Sequence, residues 1–199
     1  MEALKWRINA IEININKVYG ASHYMDHRLV AEFCLLQFRY CCELLALGCV
    51  AVHTDTPEAK KLEKKWNAEE MMRTFDKIKP SYFAIGIKEI PKPDGTMRWD
   101  PLPDAFTKDE FSSMYNRFGD LLHTGTLKNF RIQRTVNFDF KEGLEYLRKF
   151  GTLNTHYYLI DNDDRVLFVA MKNRESGHAQ MFYLKRNRKR EAQHATIVH

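Results

Sequence analysis

The chain has 199 residues, of which 44% are hydrophobic and 13% aromatic, and its formal net charge at pH 7 is +5. This composition excludes an intrinsically disordered protein and supplies enough apolar side chains for the core of one domain with a small appended lobe. The longest apolar run, residues 44–52, falls short of the roughly 20 residues that span a bilayer, and the N-terminal segment lacks a signal-peptide pattern, so a cytoplasmic protein without a membrane span is expected.

The first 78 residues have the periodicity of three helices. Residues 3–17 place apolar side chains at helical spacing. Residues 25–53 are apolar on most sides, so the rest of the fold should pack around this second helix. Thr56 suits an N-cap and Pro57 a first helical position, which predicts a third helix over residues 57–78. The apolar residues of the second helix include Leu29, Phe33, Leu36, Phe38, Tyr40, Leu44, Leu47 and Val50.

All the cysteines of the chain fall in this second helix. They are Cys34, Cys41, Cys42 and Cys49. A disulfide framework spreads its cysteines through loops, and the cysteines do not have the C-x-x-C spacing of a metal site. The sequence therefore predicts reduced cysteines that act as small packing residues, with no metal.

The middle of the chain changes character and then returns to helix. Residues 80–103 are rich in turn signals and predict a loop with short extended pieces. Thr107 and Glu110 have the spacing of a capping box and start a fourth helix. A fifth helix is expected over residues 138–150, closed by Gly151.

The last third has the two-residue period of strands. The segments "THYYLID", "RVLFVAMK" and "AQMFYLKR" predict a three-stranded antiparallel meander. The expected fold class is α+β, with a helical bundle over residues 1–150, a meander over 151–186 packed on the bundle, and a basic, flexible tail over 187–199.

The fourth helix carries a candidate catalytic face. In "NRFGDLLHTG", Arg117, Asp120 and His123 recur at three-residue intervals, about 60° apart around the helix. Asp120 can pair with the arginine or orient the histidine. The alternative is a solvated face, because every amphipathic helix needs polar residues on its outer side.

A second polar group interrupts the apolar second helix. Glu32, Arg39 and Glu43 share a narrow stripe, and His53 lies at the helix end. Buried charges need partners, so this stripe predicts either a cleft lining or a structural ion pair between Arg39 and Glu43.

The positive charge of the chain is concentrated near its end. The run "KRNRKR" carries as many positive charges as the whole chain has in excess. Such a run can bind a phosphate backbone by releasing counterions, or it can simply be solvated. Its basic residues are Lys185, Arg186, Arg188, Lys189 and Arg190.

The segment "RFGDLLH" resembles the R-x4-6-H motif of HEPN domains, which are helical modules common in bacterial toxins and defence systems. The resemblance rests on Arg117 and His123 as motif and on residues 1–150 as architecture, and the meander is not part of it. It implies a metal-independent endoribonuclease without a cofactor, in which His123 moves a proton, Arg117 stabilises the phosphorane and Asp120 orients. Arg39, Glu43 or His53 would complete the site.

The same resemblance implies partners for the chain. They are an RNA substrate, a second copy of the chain in a homodimer, and an antitoxin or defence protein. A non-catalytic HEPN-like module that binds a protein or nucleotide is the alternative function. A metal-dependent or nucleotide-hydrolysing enzyme is disfavoured, since the sequence has no P-loop, H-E-x-x-H or G-x-S-x-G motif.

Overall fold

The computed structural model describes residues 1–19, 26–53, 57–62, 67–78, 81–122, 138–160, 165–172 and 176–185. Its helices are α1 (Glu2–Tyr19), α2 (His27–Val52), α3 (Pro57–Leu62), α4 (Ala68–Ile78), α5 (Lys108–Leu122) and α6 (Phe140–Gly151). Its strands are β1 (Ile85–Pro91), β2 (Met97–Pro101), β3 (Thr155–Ile160), β4 (Arg165–Ala170) and β5 (Gln180–Lys185). The predicted α+β class is confirmed.

Helix α2 is the axis of the helical part. It begins at Asp26, whose carboxylate accepts a hydrogen bond from the backbone N of Arg28 at 2.8 Å. Phe38 at its centre is fully buried and stacks on Phe118 of α5 and Phe150 of α6, with ring centroids 5.2 and 6.2 Å apart. The apolar face of α1 packs along α2 and buries Leu4, Ile11 and Ile15.

On one side of α2 four apolar side chains are exposed, so the described residues do not surround this helix as predicted. Leu29 is 55% exposed and Leu47 is 43% exposed, while Leu36 and Tyr40 are each 38% exposed. These four residues lie within about 40° of one another around the helix, opposite the buried side. We call them the α2 stripe.

Among the residues that the structure describes, α2 is the one helix long and apolar enough to cross a bilayer by length and composition. The core helix of a soluble protein passes the same test. Its position against α1, α4 and α5 accounts for the apolar composition here, because the side opposite the α2 stripe is packed inside the fold.

The third predicted helix is two helices. Helix α3 ends at Leu62, and α4 starts with its own N-cap, because the side-chain oxygen of Asn67 accepts a hydrogen bond from the backbone N of Glu70 at 3.0 Å. An Asn cap of this kind marks a helix start rather than a helix interior. The prediction of one helix over residues 57–78 was therefore wrong.

The predicted loop over residues 80–103 is a β-hairpin. Strands β1 and β2 pair in antiparallel register from Ile87↔Pro101 to Pro91↔Met97. The turn between them uses Gly95 at φ +78°, a left-handed conformation that glycine adopts without steric cost, and Asp94 accepts hydrogen bonds from Thr96. The predicted extended pieces and turn chemistry of this segment correspond to β1 and to the hairpin turn, but the pairing of β1 with a second strand was not predicted.

The three predicted C-terminal strands are confirmed, but the sheet formed by the described residues has five strands. Its order is β2-β1-β3-β4-β5, and every pairing is antiparallel. Strand β1 joins β3 through the pairs Ile85↔Tyr157 and Gly86↔His156. The sheet therefore contains strands from both regions that were predicted as separate domains. The hairpin lies within residues 1–150 of the sequence, but its strand β1 pairs with the predicted meander.

The two faces of the sheet have different neighbours. Leu167 and Val169 of β4 belong to the same core as the helices, and so does Tyr158 of β3. Phe168 points to the opposite face, where Trp99 of the hairpin and Phe182 of β5 cover it at ring-centroid distances of 4.8 and 4.6 Å. The hairpin thus shields part of the outer face.

Gly86 marks a close contact between β1 and the end of α6. A Cβ at this position would lie 2.3 Å from the carbonyl oxygen of Thr152, a backbone atom. We expect Gly86→Ala to lower the free energy of unfolding by about 3 kcal/mol, because the strand or the helix end must move. Chemical denaturation measures this change. Gly151→Ala is the control: a Cβ there meets nothing within 4 Å, so its effect should be neutral or stabilising.

The four cysteines of α2 are free, buried thiols, as their spacing predicts. Burial raises the pKa of Cys34, Cys41 and Cys49 to about 12, and it raises that of Cys42 well above its ordinary value. Since the thiolate is the reactive form, we expect a thiol reagent near neutral pH to leave the folded protein unmodified and to modify all four cysteines in denaturant. Rapid labelling of a folded-state cysteine would contradict this assignment.

Candidate functional site

Helix α5 carries the candidate residues Arg117 and Asp120. A capping box sets the start of this helix, and a buried apolar face sets its orientation. Thr107 and Glu110 form the predicted capping box: the backbone N of Thr107 donates to Glu110 Oε2 at 2.9 Å, and the backbone N of Glu110 donates to Thr107 Oγ1 at 3.2 Å. The predicted apolar face is buried at Phe111, Met114, Tyr115 and Phe118. Arg117 and Asp120 are consequently exposed on the outer side.

Arg117 is held by two residues of α6. Its Nη2 donates to Glu142 Oε2 at 2.6 Å, and the hydroxyl of Tyr146 donates to Glu142 Oε1. Half of the Arg117 side chain is exposed, compared with 29% of Glu142. The hydrogen bond with Glu142 raises the pKa of Arg117, and burial together with this carboxylate raises the pKa of Tyr146. The guanidinium is therefore charged, oriented and still accessible to solvent.

A cleft of about 450 Å³ lies between α5 and α6 beside Arg117. It contains two cations, Arg117 and Lys149, and three carboxylates, and Lys149 pairs with Glu110 at 2.7 Å. Its lining residues are Asp109, Glu110, Ser113, Met114, Arg117, Glu145, Tyr146 and Lys149. The cleft is thus of mixed charge, with Arg117 as one of its two positive groups.

Arg39 lies on the other flank of α5. Its Nη2 donates to the Tyr115 hydroxyl at 2.9 Å, and its guanidinium carbon lies 4.4 Å from the centroid of that ring. Arg39 Nε is 3.4 Å from Glu43 Oε1, so the ion pair expected as one alternative is present. A Cβ on Gly119 would lie 2.7 Å from Arg39 Nη1, so the glycine makes room for this side chain.

The structure separates the candidate residues instead of gathering them. Tyr115 and Gly119, which contact Arg39, lie about 160° from Arg117 around α5. Glu32 is exposed. His53 is 7% exposed and packs on Phe75 of α4 with ring centroids 5.7 Å apart, about 21 Å along α2 from Arg39.

Several predicted site residues fall outside the residues that the structure describes. His123 directly follows the last residue of α5 and is one of them. Arg186, Arg188, Lys189 and Arg190 are also outside, while Lys185 is the last residue of β5. The basic run thus continues directly from the strand at the sheet edge.

Sequence reasoning missed Glu142, Tyr146 and Tyr115, the residues that hold the two arginines. Glu142 and Tyr146 are spaced i, i+4 in α6, which places them on one face of that helix. Only this spacing signals that they act together, and nothing in the sequence pairs them with Arg117, which lies 25 residues away.

The described ranges contain no group of three or more His, Cys, Asp and Glu side chains able to hold a metal ion. The ionisable side chains that line the cleft are those of Arg117, Lys149, Tyr146 and the carboxylates Asp109, Glu110 and Glu145. No protein-family model, curated protein or solved structure matches the chain.

Proposed function

We propose that the chain is a metal-independent endoribonuclease of the HEPN type. One observation carries the proposal: Arg117, the arginine of the R-x5-H motif, is half exposed at the rim of a cleft and is oriented by the Glu142 and Tyr146 side chains. A pre-oriented guanidinium can stabilise charge that develops on a phosphate. Arginine carries five N–H donors, so the contact with Glu142 leaves capacity for a second anion.

The proposed reaction divides the roles along the motif. His123 takes the proton of a ribose 2′-hydroxyl, whose oxygen attacks the adjacent phosphorus. Arg117 stabilises the negative charge of the phosphorane, and Asp120 orients the histidine. The bond from phosphorus to the 5′-oxygen then breaks, the leaving oxygen receives a proton, and the products are a 2′,3′-cyclic phosphate and a 5′-hydroxyl. No metal ion or cofactor takes part.

The test is incubation of the purified chain with RNA in EDTA, followed by analysis of the product ends. We expect cyclic phosphate ends from the wild type and from Arg98→Ala. Arg98 is a matched control for Arg117, because it is also a half-exposed arginine in a surface ion pair. Its partner is Asp100 on β2, at 2.7 Å. Absence of cleavage by the wild type, or cleavage that EDTA abolishes, would rule out the proposed activity.

The proposal includes a cytoplasmic homodimer that can bind an antitoxin or defence protein. The α2 stripe supports a protein interface, because Leu29, Leu36, Tyr40 and Leu47 form an apolar row on the surface. A two-fold interface pairs one surface patch with the same patch of a second copy, so an apolar row on one chain can form a homodimer contact. Sedimentation of the wild type and Leu36→Lys tests this part of the proposal.

The basic run is proposed to contact the RNA backbone. Replacing Lys185, Arg186, Arg188, Lys189 and Arg190 with glutamine should weaken RNA binding and flatten its dependence on salt, since fewer counterions are released. Fluorescence anisotropy over a salt series measures the slope. An unchanged slope would show that the run is only solvated.

A non-catalytic binding module is the second candidate function, and the ion pairs favour it. Arg117 and Arg39 both have carboxylate partners within the fold, in Glu142 and Glu43. Such pairs can be purely structural. This alternative predicts RNA or protein binding without cleavage, so the product analysis in EDTA separates the two functions.

A further inference from the structure

The cleft between α5 and α6 is lined by a row of α5 side chains that differ in charge. Asp109, Ser113 and Arg117 follow one another at four-residue intervals, and all three line the cleft. Side chains four residues apart lie on the same side of a helix, and eight residues span about 12 Å along its axis. The row therefore has a carboxylate at one end and the guanidinium of Arg117 at the other.

The carboxylates of the cleft differ in whether they already have a partner. Glu110 and Glu145 are in ion pairs with basic residues of α6, at 2.7 and 3.1 Å. By contrast, no hydrogen bond or ion pair joins the Asp109 carboxylate or the Ser113 hydroxyl to another residue of the described ranges. Both residues are exposed. The oxygens of Asp109 and the hydroxyl of Ser113 are thus available to a ligand.

The surface beside this row offers an apolar contact. Met114 lines the cleft but is only 4% exposed, so it belongs to the floor. Tyr146 contributes to the α6 wall, and its hydroxyl is held by Glu142. A flat ring packs favourably against such side chains. The volume of about 450 Å³ lies within the roughly 300–1,000 Å³ of small-molecule sites, so one nucleotide fits.

We propose that Asp109 and Ser113 bind the base of a guanosine next to the phosphate held by Arg117, so that the chain selects guanine in single-stranded RNA. The inference rests on the proposed ribonuclease function, which places the scissile phosphate at Arg117. Proteins read unpaired RNA bases through their Watson–Crick edges. Guanine presents there two adjacent donors, N1–H and the 2-amino group, beside the acceptor O6. The two oxygens of Asp109 accept from these donors, and the Ser113 hydroxyl donates to O6.

The other bases do not match this arrangement. Adenine and cytosine each place an amino group beside an unprotonated ring nitrogen, which repels one oxygen of the carboxylate. Uracil places its single N–H between two carbonyl oxygens. Each of these bases therefore directs an acceptor at an acceptor, and the loss of a two-point contact reduces affinity about tenfold or more.

The first experiment measures binding without any reaction, by calorimetric titration of the full chain with nucleoside 3′-monophosphates. Guanosine 3′-monophosphate should bind most tightly. Inosine keeps N1–H and O6 but lacks the 2-amino group, so its 3′-monophosphate should bind about tenfold more weakly. Equal affinities for these two nucleotides, or no binding of either, would overturn the proposal.

The variant Asp109→Asn tests the role of the carboxylate. The amide of asparagine offers one donor and one acceptor, which match the ring nitrogen and the amino group of adenine. We expect at least a tenfold loss of affinity for guanosine 3′-monophosphate and a preference for adenosine 3′-monophosphate. A carboxylate that only repelled phosphate would give the opposite result, since its removal would strengthen the binding of every nucleotide. That outcome would overturn the proposal.

The matched control is Glu12→Gln, which removes one negative charge from an exposed residue of α1, outside the cleft. This variant should keep the affinities and the base order of the wild type. An equal change in Glu12→Gln and Asp109→Asn would show an effect of net charge and would overturn base recognition. Thermal unfolding checks that both variants fold.

The second experiment maps the cleavage sites in an RNA that contains all four bases. The wild type should cut beside guanine, and Asp109→Asn should shift the sites toward adenine while the product ends stay the same. Cleavage without base preference would overturn guanine recognition and leave the ribonuclease function standing. Absence of any cleavage would refute the ribonuclease function, and the titrations would then confirm or overturn the guanine site by themselves.

Discussion

Replacing Arg117 with alanine is expected to lower the rate of RNA cleavage by about 10² to 10³-fold, because a pre-oriented donor to the phosphorane is lost. Replacing His123 with alanine should cost about 10² to 10⁴, the usual contribution of a proton-transfer group. The free energy of unfolding should change by no more than about 1 kcal/mol in Arg117→Ala, since the ion pair with Glu142 is a surface pair. Single-turnover cleavage and chemical denaturation measure the two effects.

Two further variants sharpen this expectation. Arg117→Lys keeps the charge but loses the planar guanidinium, so its activity should recover only in part. Arg39→Ala should instead lower the free energy of unfolding by about 2 kcal/mol or more, because Tyr115 and Glu43 lose a largely buried partner. Unfolding of the protein by Arg117→Ala, with Arg39→Ala harmless, would reverse the roles assigned to these arginines.

Acidification is expected to destabilise the fold through His156. This residue of β3 is fully buried, and its Nδ1 donates to the carbonyl oxygen of Leu153 at 2.6 Å. A carbonyl only accepts, so Nδ1 carries the proton of the neutral ring, and Nε2 is buried with no hydrogen-bond partner among the described residues. Desolvation of the charged ring lowers the pKa of His156 from 6.5 to about 4.

The sign of the effect follows from this lowered pKa. Between pH 6.5 and about 4 the unfolded chain binds a proton at His156 more readily than the folded chain does. The free energy of unfolding therefore falls as the pH falls through this window, by about 3 kcal/mol in total. Above pH 6.5 the contribution of this histidine is constant.

The measurement is the difference in unfolding free energy between wild type and His156→Asn across the same pH range. Asparagine keeps a donor for Leu153 and does not titrate, so its curve should lack the His156 component. His178→Asn is the control, because the His178 side chain is 78% exposed. A difference curve for His156→Asn that is flat from pH 7 to 4 would show that this ring charges freely in the folded state.

The helices and the C-terminal strands could be predicted from local sequence. The capping box of Thr107 and Glu110, the apolar spacing of α1 and α5, and the alternation in β3 to β5 are short-range signals that tertiary contacts reinforce. The sequence also predicted the free cysteines, because their positions on one apolar helix left them buried and apart from loops.

The pairing of β1 with β2 and β3, and the break between α3 and α4, could not be predicted in the same way. Strands β1 and β2 contain Pro91 and Pro101, and β1 reaches β3 through only two residue pairs some 70 positions apart in sequence. Pairing between strands so far apart in sequence produces no periodic pattern of hydrophobic residues in the local sequence. Asn67 likewise has no distinguishing feature in the sequence. Its role as the cap of α4 is visible only from the hydrogen bond that its side chain accepts.

The sequence by itself determined which helix faces are polar and where Arg117, Asp120, Arg39 and Glu43 lie along the chain, because helical period is a local property. Only the tertiary structure decided which side chains of different helices meet. It placed Arg117 with Glu142 and Tyr146, and Arg39 with Tyr115, on opposite flanks of α5, since the partners come from helices whose packing depends on the whole core. It also left the α2 stripe and the Met181, Phe182 and Tyr183 side chains exposed, because hydropathy specifies that a surface is apolar but not what covers it.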